Sequence, residues 1–366
     1  MLFCFWNLSA SHVKNSDKPI GGEWDFKLKK AWEVGQMGDK LLVRVRGIGI
    51  NEKGHIFLWE SKQFKVFVFD TKGKLLREFG EGFGEGPGEV MDQWATSLYL
   101  TKDIAILHEV NTGRVHYFAH SGKFHQTRKV SKLELSHTLQ TFIDKNSFLF
   151  TLSRKSKENR NFMGIYNLST QTHRELTNIL PNQPITVTDK NAGNLTLAYP
   201  DISTSIICTQ QNGEHVYYGR NNKFTINALN LKTNQNTSFS ITGRKGRKIP
   251  QGVKEKKLNY SNLDKRLKKK ILKQTPNQTT LFNRIHVNKM GLIYVFIPNW
   301  QKENAFEIDI FSPKGKYLYH SIIQLPSQYS SIRNLTFNLN ELYLTAEDEE
   351  QDLKLIKYTI TPPQLK

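Results

Sequence analysis

The chain has 366 residues, 38% of them hydrophobic, with 22 Phe, 13 Tyr and 6 Trp. Its low mean hydropathy and the lack of any run of about 18 apolar residues exclude a complete helical membrane span. Lys and Arg number 52 against 33 Asp and Glu, a net charge of +19, which points toward an anionic partner. Only two cysteines occur, Cys4 and Cys208. If the N-terminus is removed, one thiol remains, and neither a disulfide framework nor a cysteine-based zinc site is possible.

Met1 to Ala10 is apolar and ends in the small residues Ser9-Ala10-Ser11. It reads as the tail of a secretory leader, so residues 1–21 are expected to be a signal-peptide remnant or a disordered N-terminus, and the protein to be extracytoplasmic. A strand follows at Trp24-Asp-Phe-Lys-Leu-Lys-Lys-Ala-Trp32 with no partner nearby in sequence. The first full repeat then runs through Gly54-His-Ile-Phe-Leu-Trp59, Lys65-Val-Phe-Val-Phe-Asp70, the turn Thr71-Lys-Gly-Lys74, and Leu75-Leu-Arg-Glu-Phe79. A second begins at Ile104-Ala-Ile-Leu107, continues through Arg114-Val-His-Tyr-Phe118 and turns at His120-Ser-Gly-Lys123. Gly73 and Gly122 lie 49 residues apart, the span of one four-stranded propeller blade.

Fainter copies follow. Phe148–Leu152 pairs with Met163–Tyr166; Ser205–Cys208, His215–Tyr218 and Phe224–Leu229 form the next; and Gly291–Phe296, Phe306–Phe311, Ser312-Pro-Lys-Gly-Lys316 and Tyr317-Leu-Tyr319 repeat the first pattern. The last set is Leu335–Phe337, Leu342–Leu344 and Leu353–Tyr358, one strand short. The spare strand at the start completes the blade left short at the end, which limits exposed sheet edges. Residues 22–366 therefore read as an all-β, six-bladed β-propeller whose N-terminal strand closes the last blade.

One segment breaks the rhythm. Arg244 to Lys273 holds 13 basic and 2 acidic residues, leaving a net +8 for the remaining chain. Within it, Ser261–Leu272 places Leu263, Leu267 and Ile271 at four-residue spacing and ends before Pro276, which predicts a short helix in a basic insertion over residues 244–283. Its candidate anion-binding residues are Arg244, Lys245, Arg247, Lys248, Lys265, Arg266, Lys268, Lys269 and Lys270. Aromatic residues, which single-stranded nucleic-acid sites interleave with cations, are nearly absent there; Tyr260 alone is close.

Phe69-Asp-Thr-Lys-Gly-Lys-Leu-Leu-Arg-Glu-Phe-Gly80 and Gly84-Glu-Gly-Pro-Gly-Glu-Val90 resemble the NHL repeat. The resemblance is specific in one blade and fair in the second and fifth. It implies the propeller fold and an exported location of the kind common in secreted bacterial proteins. NHL-like propellers bind RNA, bind proteins or catalyse, so it implies no single function.

Other motifs read as structure. Gly80–Glu89 carries Glu81, Glu85 and Glu89, which repel phosphate, and no helix pattern follows, so it is expected to be a crossing between blades. His108, His116, His120 and His125 lie on different strands and a turn, without the convergence a metal needs. Glu347–Glu350 with Asp352 lacks the pattern of a calcium loop and reads as an acidic hairpin tip. No GxSxG occurs, and no cofactor or catalytic residue is expected. The leading expectation is a non-catalytic ligand- or protein-binding propeller with recognition at one mouth. The alternatives are a binder of RNA or another anionic polymer through the basic insertion, and a hydrolase or lyase with a metal in the channel.

Overall fold

Strand follows strand along the chain, interrupted among the described residues by two helices. The computed structural model describes residues 11–130, 136–153, 161–179, 185–189, 193–197, 201–203, 205–211, 214–258, 265–302, 304–329 and 331–365. Six four-stranded antiparallel blades succeed one another, and the protein is a six-bladed β-propeller. Two compact units are distinguishable: residues 27–180 with 325–362, and residues 1–26 with 181–324 and 363–366.

The first unit holds four blades. The first blade is Val45–Ile50, Ile56–Glu60, Lys65–Phe69 and Leu75–Phe79. The second is Thr96–Leu100, Ile104–Glu109, Arg114–Ala119 and Phe124–Lys129. The third is Ser136–Phe142, Ser147–Ser153, Asn161–Asn167 and Thr172–Asn178. The sixth combines Ser331–Asn338, Glu341–Glu347 and Leu353–Thr359 with Lys29–Val34 from the other end of the chain.

Why the inner strands read as almost continuous apolar runs is visible in the first blade. Side chains of a strand point alternately to its two faces. Ile56, Leu58, Phe67 and Phe69 therefore join one cluster with Tyr343 and Leu355 of the sixth blade. Phe57, Trp59, Val66 and Val68 join another with Leu107 and Phe118 of the second. Both faces are buried, so neither can be polar.

The Asp-x-x-Gly-Lys turns have a direct cause. Asp70 Oδ1 accepts hydrogen bonds from the backbone N–H groups of Lys72 and Lys74, at 2.8 and 2.9 Å. Gly73 takes φ +83°, a left-handed conformation that disfavours any side chain. In the fifth blade Ser312 Oγ accepts from Lys316 N at 3.1 Å in the same way.

Closure uses a strand slightly later than expected. The pairing segment is Lys29–Val34, antiparallel to Leu353–Thr359, so of the expected Trp24–Trp32 only the part from Lys29 onward takes part. Its Trp32 donates from Nε1 to the Thr71 carbonyl at 3.0 Å, packs edge-on against Tyr343 and lies over Gly73, where a Cβ would sit 2.9 Å from the indole. One side chain thus ties the closing strand to the turn of the first blade.

The other unit holds the fourth blade, Ile206–Gln211, His215–Arg220, Thr225–Asn230 and Asn236–Ile241. It also holds the fifth, Arg284–Val287, Ile293–Ile297, Ala305–Phe311 and Tyr317–Gln324. The N-terminal expectation needs correcting within residues 11–21. His12–Asn15 is a strand, paired parallel with Asn236–Ile241 as a fifth member of that sheet. Trp24, expected in the closing strand, instead donates its backbone N–H to the His320 carbonyl at 2.7 Å and packs against the Tyr319 ring. Residues 1–10, which carry the leader-like sequence, lie outside the described residues. A hairpin that the repeat reading missed, Ile185–Asp189 with Gly193–Leu197, separates the third and fourth blades in sequence.

Between the fourth and fifth blades the insertion forms two helices, α1 (Gln251–Lys257) and α2 (Lys265–Gln274). The predicted helix is α2; α1 was not foreseen, and Leu263 lies outside the described residues. Leu267 and Ile271 are buried with Ile202, Ile249, Leu258 and Trp300, as the four-residue spacing requires. The neck of the insertion is narrow: Ile249 N donates to the Asn277 carbonyl and Thr279 N to the Arg247 carbonyl, both at 2.8 Å. A side chain at Gly246 would overlap the Thr279 carbonyl.

Trp32→Ala is expected to lower stability by about 2 kcal/mol, below the cost of a fully buried Trp because the ring is half-exposed. Urea unfolding checks this; an unchanged midpoint would refute the tie between closing strand and first blade.

Candidate binding site

Two loops of the first two blades are fixed by the same device. Glu60 ends the second strand of the first blade and is fully buried. Its Oε2 accepts from the backbone N–H groups of Val43 and Arg44, each at 2.7 Å, which fixes the segment entering the inner strand. Glu109 holds the equivalent place in the second blade, where its Oε2 accepts from Met91 N at 2.9 Å and Asp92 N at 3.1 Å. A buried carboxylate is tolerable because it is bonded to several donors.

These loops present Trp94. Asp92 Oδ1 accepts from the N–H groups of Trp94 and Ala95 at 2.8 and 2.9 Å, and Asn111 donates to Asp92 Oδ2 at 2.5 Å. Burial alone would raise the Asp92 pKa; these bonds and the nearby Arg46 charge outweigh it and hold the carboxyl below its usual range. Trp94 is nonetheless 58% exposed, with Val43 at 54% and Val110 at 52%. The Arg44 guanidinium lies 3.8 Å from the centroid of the indole and that of Arg46 5.4 Å. The result is an aromatic platform with two cations and an apolar rim, built on pinned backbone. Trp and Arg dominate the energetics of protein interfaces. In the sequence, a Trp with two arginines some fifty residues earlier becomes a signal only once blade spacing brings successive loops together.

The basic insertion divides into two populations. Lys245, Lys248, Lys265, Arg266 and Lys269 are exposed, and Lys268 and Lys270 are half-buried. Arg244 and Arg247, expected among the anion contacts, instead face the protein's own carboxylates: Arg244 pairs with Asp309 and Arg247 with Glu307. Glu307 and Asp309 sit two residues apart on one strand, hence on one face, and both are buried. Two acids in an otherwise apolar strand require counter-charges, and that demand was legible in Phe306-Glu-Ile-Asp-Ile-Phe311. Asp309 Oδ1 also accepts from Tyr317 at 2.6 Å and lies 2.9 Å from His320 Nδ1. Asn299 donates to Glu307 at 3.0 Å. Burial pushes the Asp309 pKa up, but His320, Arg244 and Tyr317 together draw it below its ordinary value. Every acid here is neutralised by its neighbours, so the cluster works as a clamp between the insertion's first residues and the fifth blade. Lys254 of α1 is buried too, its Nζ donating to the Thr275 carbonyl at 2.7 Å and to Asn277 Oδ1 at 3.0 Å.

The remaining motifs take structural places. The Gly80–Glu89 segment crosses from Phe79 to the next blade, and Arg114 donates to the carbonyls of Gly84, Glu85 and Gly86 at 3.2, 2.9 and 2.8 Å. His116 is buried against Glu109 at 2.8 Å, His120 packs on the Phe57 ring with its pKa lowered by burial, and His125 is exposed. Among the described residues no group of three His, Cys, Asp or Glu is placed to hold a metal ion, so the channel-metal alternative has no ligand set among them. Asp348 Oδ1 accepts from the N–H groups of Glu350 and Asp352 at 3.1 and 2.9 Å, making the acidic tip a side-chain-capped turn.

The sequence matches a family described as a 6-bladed beta-propeller over residues 38–206. No curated protein matches it significantly. Among solved structures it is similar to a member of the DUF4221 family from Bacteroides vulgatus, 9% identical, covering 92% of this chain and 98% of that one with a TM-score of 0.56. It is also similar to a putative exported protein from Bacteroides fragilis, 13% identical, covering 96% of this chain and all of that one (100%) with a TM-score of 0.51. At these identities what both likenesses show is the fold.

Asp309→Asn should destabilise the protein by about 3 kcal/mol at neutral pH, the scale of breaking a buried ion pair. Because the folded pKa of Asp309 lies below the ordinary 3.8, its contribution is fully present above that value and is lost as pH falls through the folded pKa. The stability gap between parent and variant should therefore narrow below about pH 4. Urea titrations from pH 7 to pH 3 check both; a gap independent of pH would refute the clamp.

Proposed function

We propose that this propeller is a non-catalytic binding module working outside the cytoplasm, and that it takes an acidic segment of a partner protein on the loops of its first two blades. Trp94 carries the reading: a half-exposed indole on backbone held by Asp92, flanked by the guanidinium groups of Arg44 and Arg46. A monomer gains little by exposing such a group, and the cations select for carboxylates in whatever covers it. The side-chain-capped turns at Asp70 and Ser312 and the crossing at Gly80–Glu89 support kinship with NHL-like propellers. The apolar residues ahead of Ser9-Ala10-Ser11 and the likeness to a putative exported protein support the location. No described helix is long and apolar enough to cross a membrane.

Peptides selected from a displayed random library on the immobilised protein should be rich in Asp and Glu beside an apolar residue. Trp94→Ala should weaken their binding roughly thirtyfold, as truncation of an interface Trp does, while leaving the melting temperature unchanged. Selections without an acidic consensus, or peptides indifferent to the substitution, overturn the reading.

A second reading places an anionic polymer on α2, favoured by the exposure of Lys265, Arg266 and Lys269. Replacing these three by Gln should leave stability within about 0.5 kcal/mol and flatten the salt dependence of RNA or heparin binding by roughly one counterion per lost contact. Equally weak, salt-independent binding by parent and variant discards it.

A further inference from the structure

Away from Trp94, the second and third blades form a half-open pocket of about 470 Å³, within the size range of small-ligand sites. Tyr117 and Ile104 supply its apolar wall, Arg128 and Lys145 its charge, and His125 an imidazole. Among the described residues no carboxylate lines it; Asp144, whose charge reaches Tyr117, accepts from Asn146 N at 2.6 Å. Among the described residues Arg128 is held by neutral groups alone. It donates to Asn146 Oδ1 at 3.3 Å and to Ser169 Oγ at 3.4 Å. The Gln126 carboxamide, turned so that its oxygen faces the guanidinium, accepts from Nε and Nη2 at 3.2 Å each. These acceptors orient the guanidinium without neutralising it. The same residue lies 5.7 Å from the centroid of the Tyr117 ring.

The second observation is Tyr117 itself. It is 2% exposed, and its hydroxyl is buried with no hydrogen-bond partner. Buried hydroxyls in native proteins are almost always bonded, so one left unpaired on a residue that lines a cavity is a group a ligand can satisfy. Its neighbours set the chemistry. A planar guanidinium with free charge matches a carboxylate, with Lys145 as a second cation. The carboxamides of Gln126 and Asn146 and the hydroxyl of Ser169 both donate and accept, which suits the hydroxyl groups of a polyol. The Tyr117 ring and Ile104 suit the apolar edge of a small ring. The absence of a lining carboxylate disfavours a cationic ligand.

We propose that this cavity is a binding site for an acidic sugar unit, a hydroxylated ring bearing one carboxylate, with the carboxylate on Arg128 and Lys145 and the ring against Tyr117. The site is distinct from the Trp94 platform and stands or falls separately.

The test is calorimetric titration of the full chain with D-glucuronate, with D-glucose and inorganic phosphate as comparison probes. Glucuronate should bind at roughly millimolar concentration, glucose at least tenfold more weakly, and phosphate likewise. Arg128→Gln should reduce glucuronate affinity at least tenfold and Tyr117→Phe several-fold. Lys145 is exposed, so Lys145→Gln provides a variant whose folding is not at risk; it should weaken binding several-fold, and Trp94→Ala should leave it unchanged. No binding of glucuronate up to about 50 mM, well above the millimolar range expected of such a ligand, overturns the proposal. So does affinity unaltered in both Lys145→Gln and Arg128→Gln. Phosphate binding as tightly as glucuronate reduces the site to a simple anion pocket and overturns the sugar assignment.

Discussion

The antiparallel pairing of Lys29–Val34 with Leu353–Thr359 is the constraint on which the blade architecture rests. It brings together segments more than three hundred residues apart; Thr359 Oγ1 donates to the Lys29 carbonyl across 330 positions. Loop closure of that length grows in cost only with the logarithm of the span, and the return is a fourth strand on a blade that the C-terminal part of the chain leaves at three. Trp32 carries that closure onward to Thr71 and Gly73 of the first blade, so the closing strand fixes a neighbouring blade as well as its own.

Charge is distributed by burial as much as by sequence. The segment with the densest positive charge supplies Arg244 and Arg247 to buried carboxylates and Lys254 to helix-end carbonyls, leaving Lys245, Lys248 and the cationic face of α2 as its solvated part. A guanidinium beside a buried acid removes a desolvation penalty that the acid alone could not sustain. The same logic, with backbone N–H groups as the donors, lets Glu60 and Glu109 sit fully buried at the ends of their strands. Buried acids are the recurring means by which this all-β scaffold shapes its loops.

Both proposed sites follow from that rigidity. Trp94 protrudes because Glu109 and Asp92 leave its loop no other course. Arg128 stays cationic in a sheltered cavity because neutral groups orient it without cancelling it. In each case recognition residues lie on loops or blade flanks while strands hold them still, the usual division of labour in repeat folds.

The two middle strands of each blade, the blade number, the closing role of an N-terminal strand and the helix carrying Leu267 and Ile271 were legible in the sequence, because each rests on a periodicity or a turn residue within a few dozen positions. Gly73 and Gly122 announce blade spacing, and alternate apolar residues announce a doubly buried strand. The shift of the closing strand from Trp24 to Lys29 was not legible: both stretches have strand character, and backbone partners on the fifth blade take the first. Nor was the pairing of His12–Asn15 with the fourth blade, the partnering of Arg244 with Asp309 across 65 positions, or the meeting of Arg44 with Trp94. Those depend on which loops and faces the propeller brings side by side. Local patterns determine the elements, but the distance between two charges or two rings is set by the tertiary packing alone.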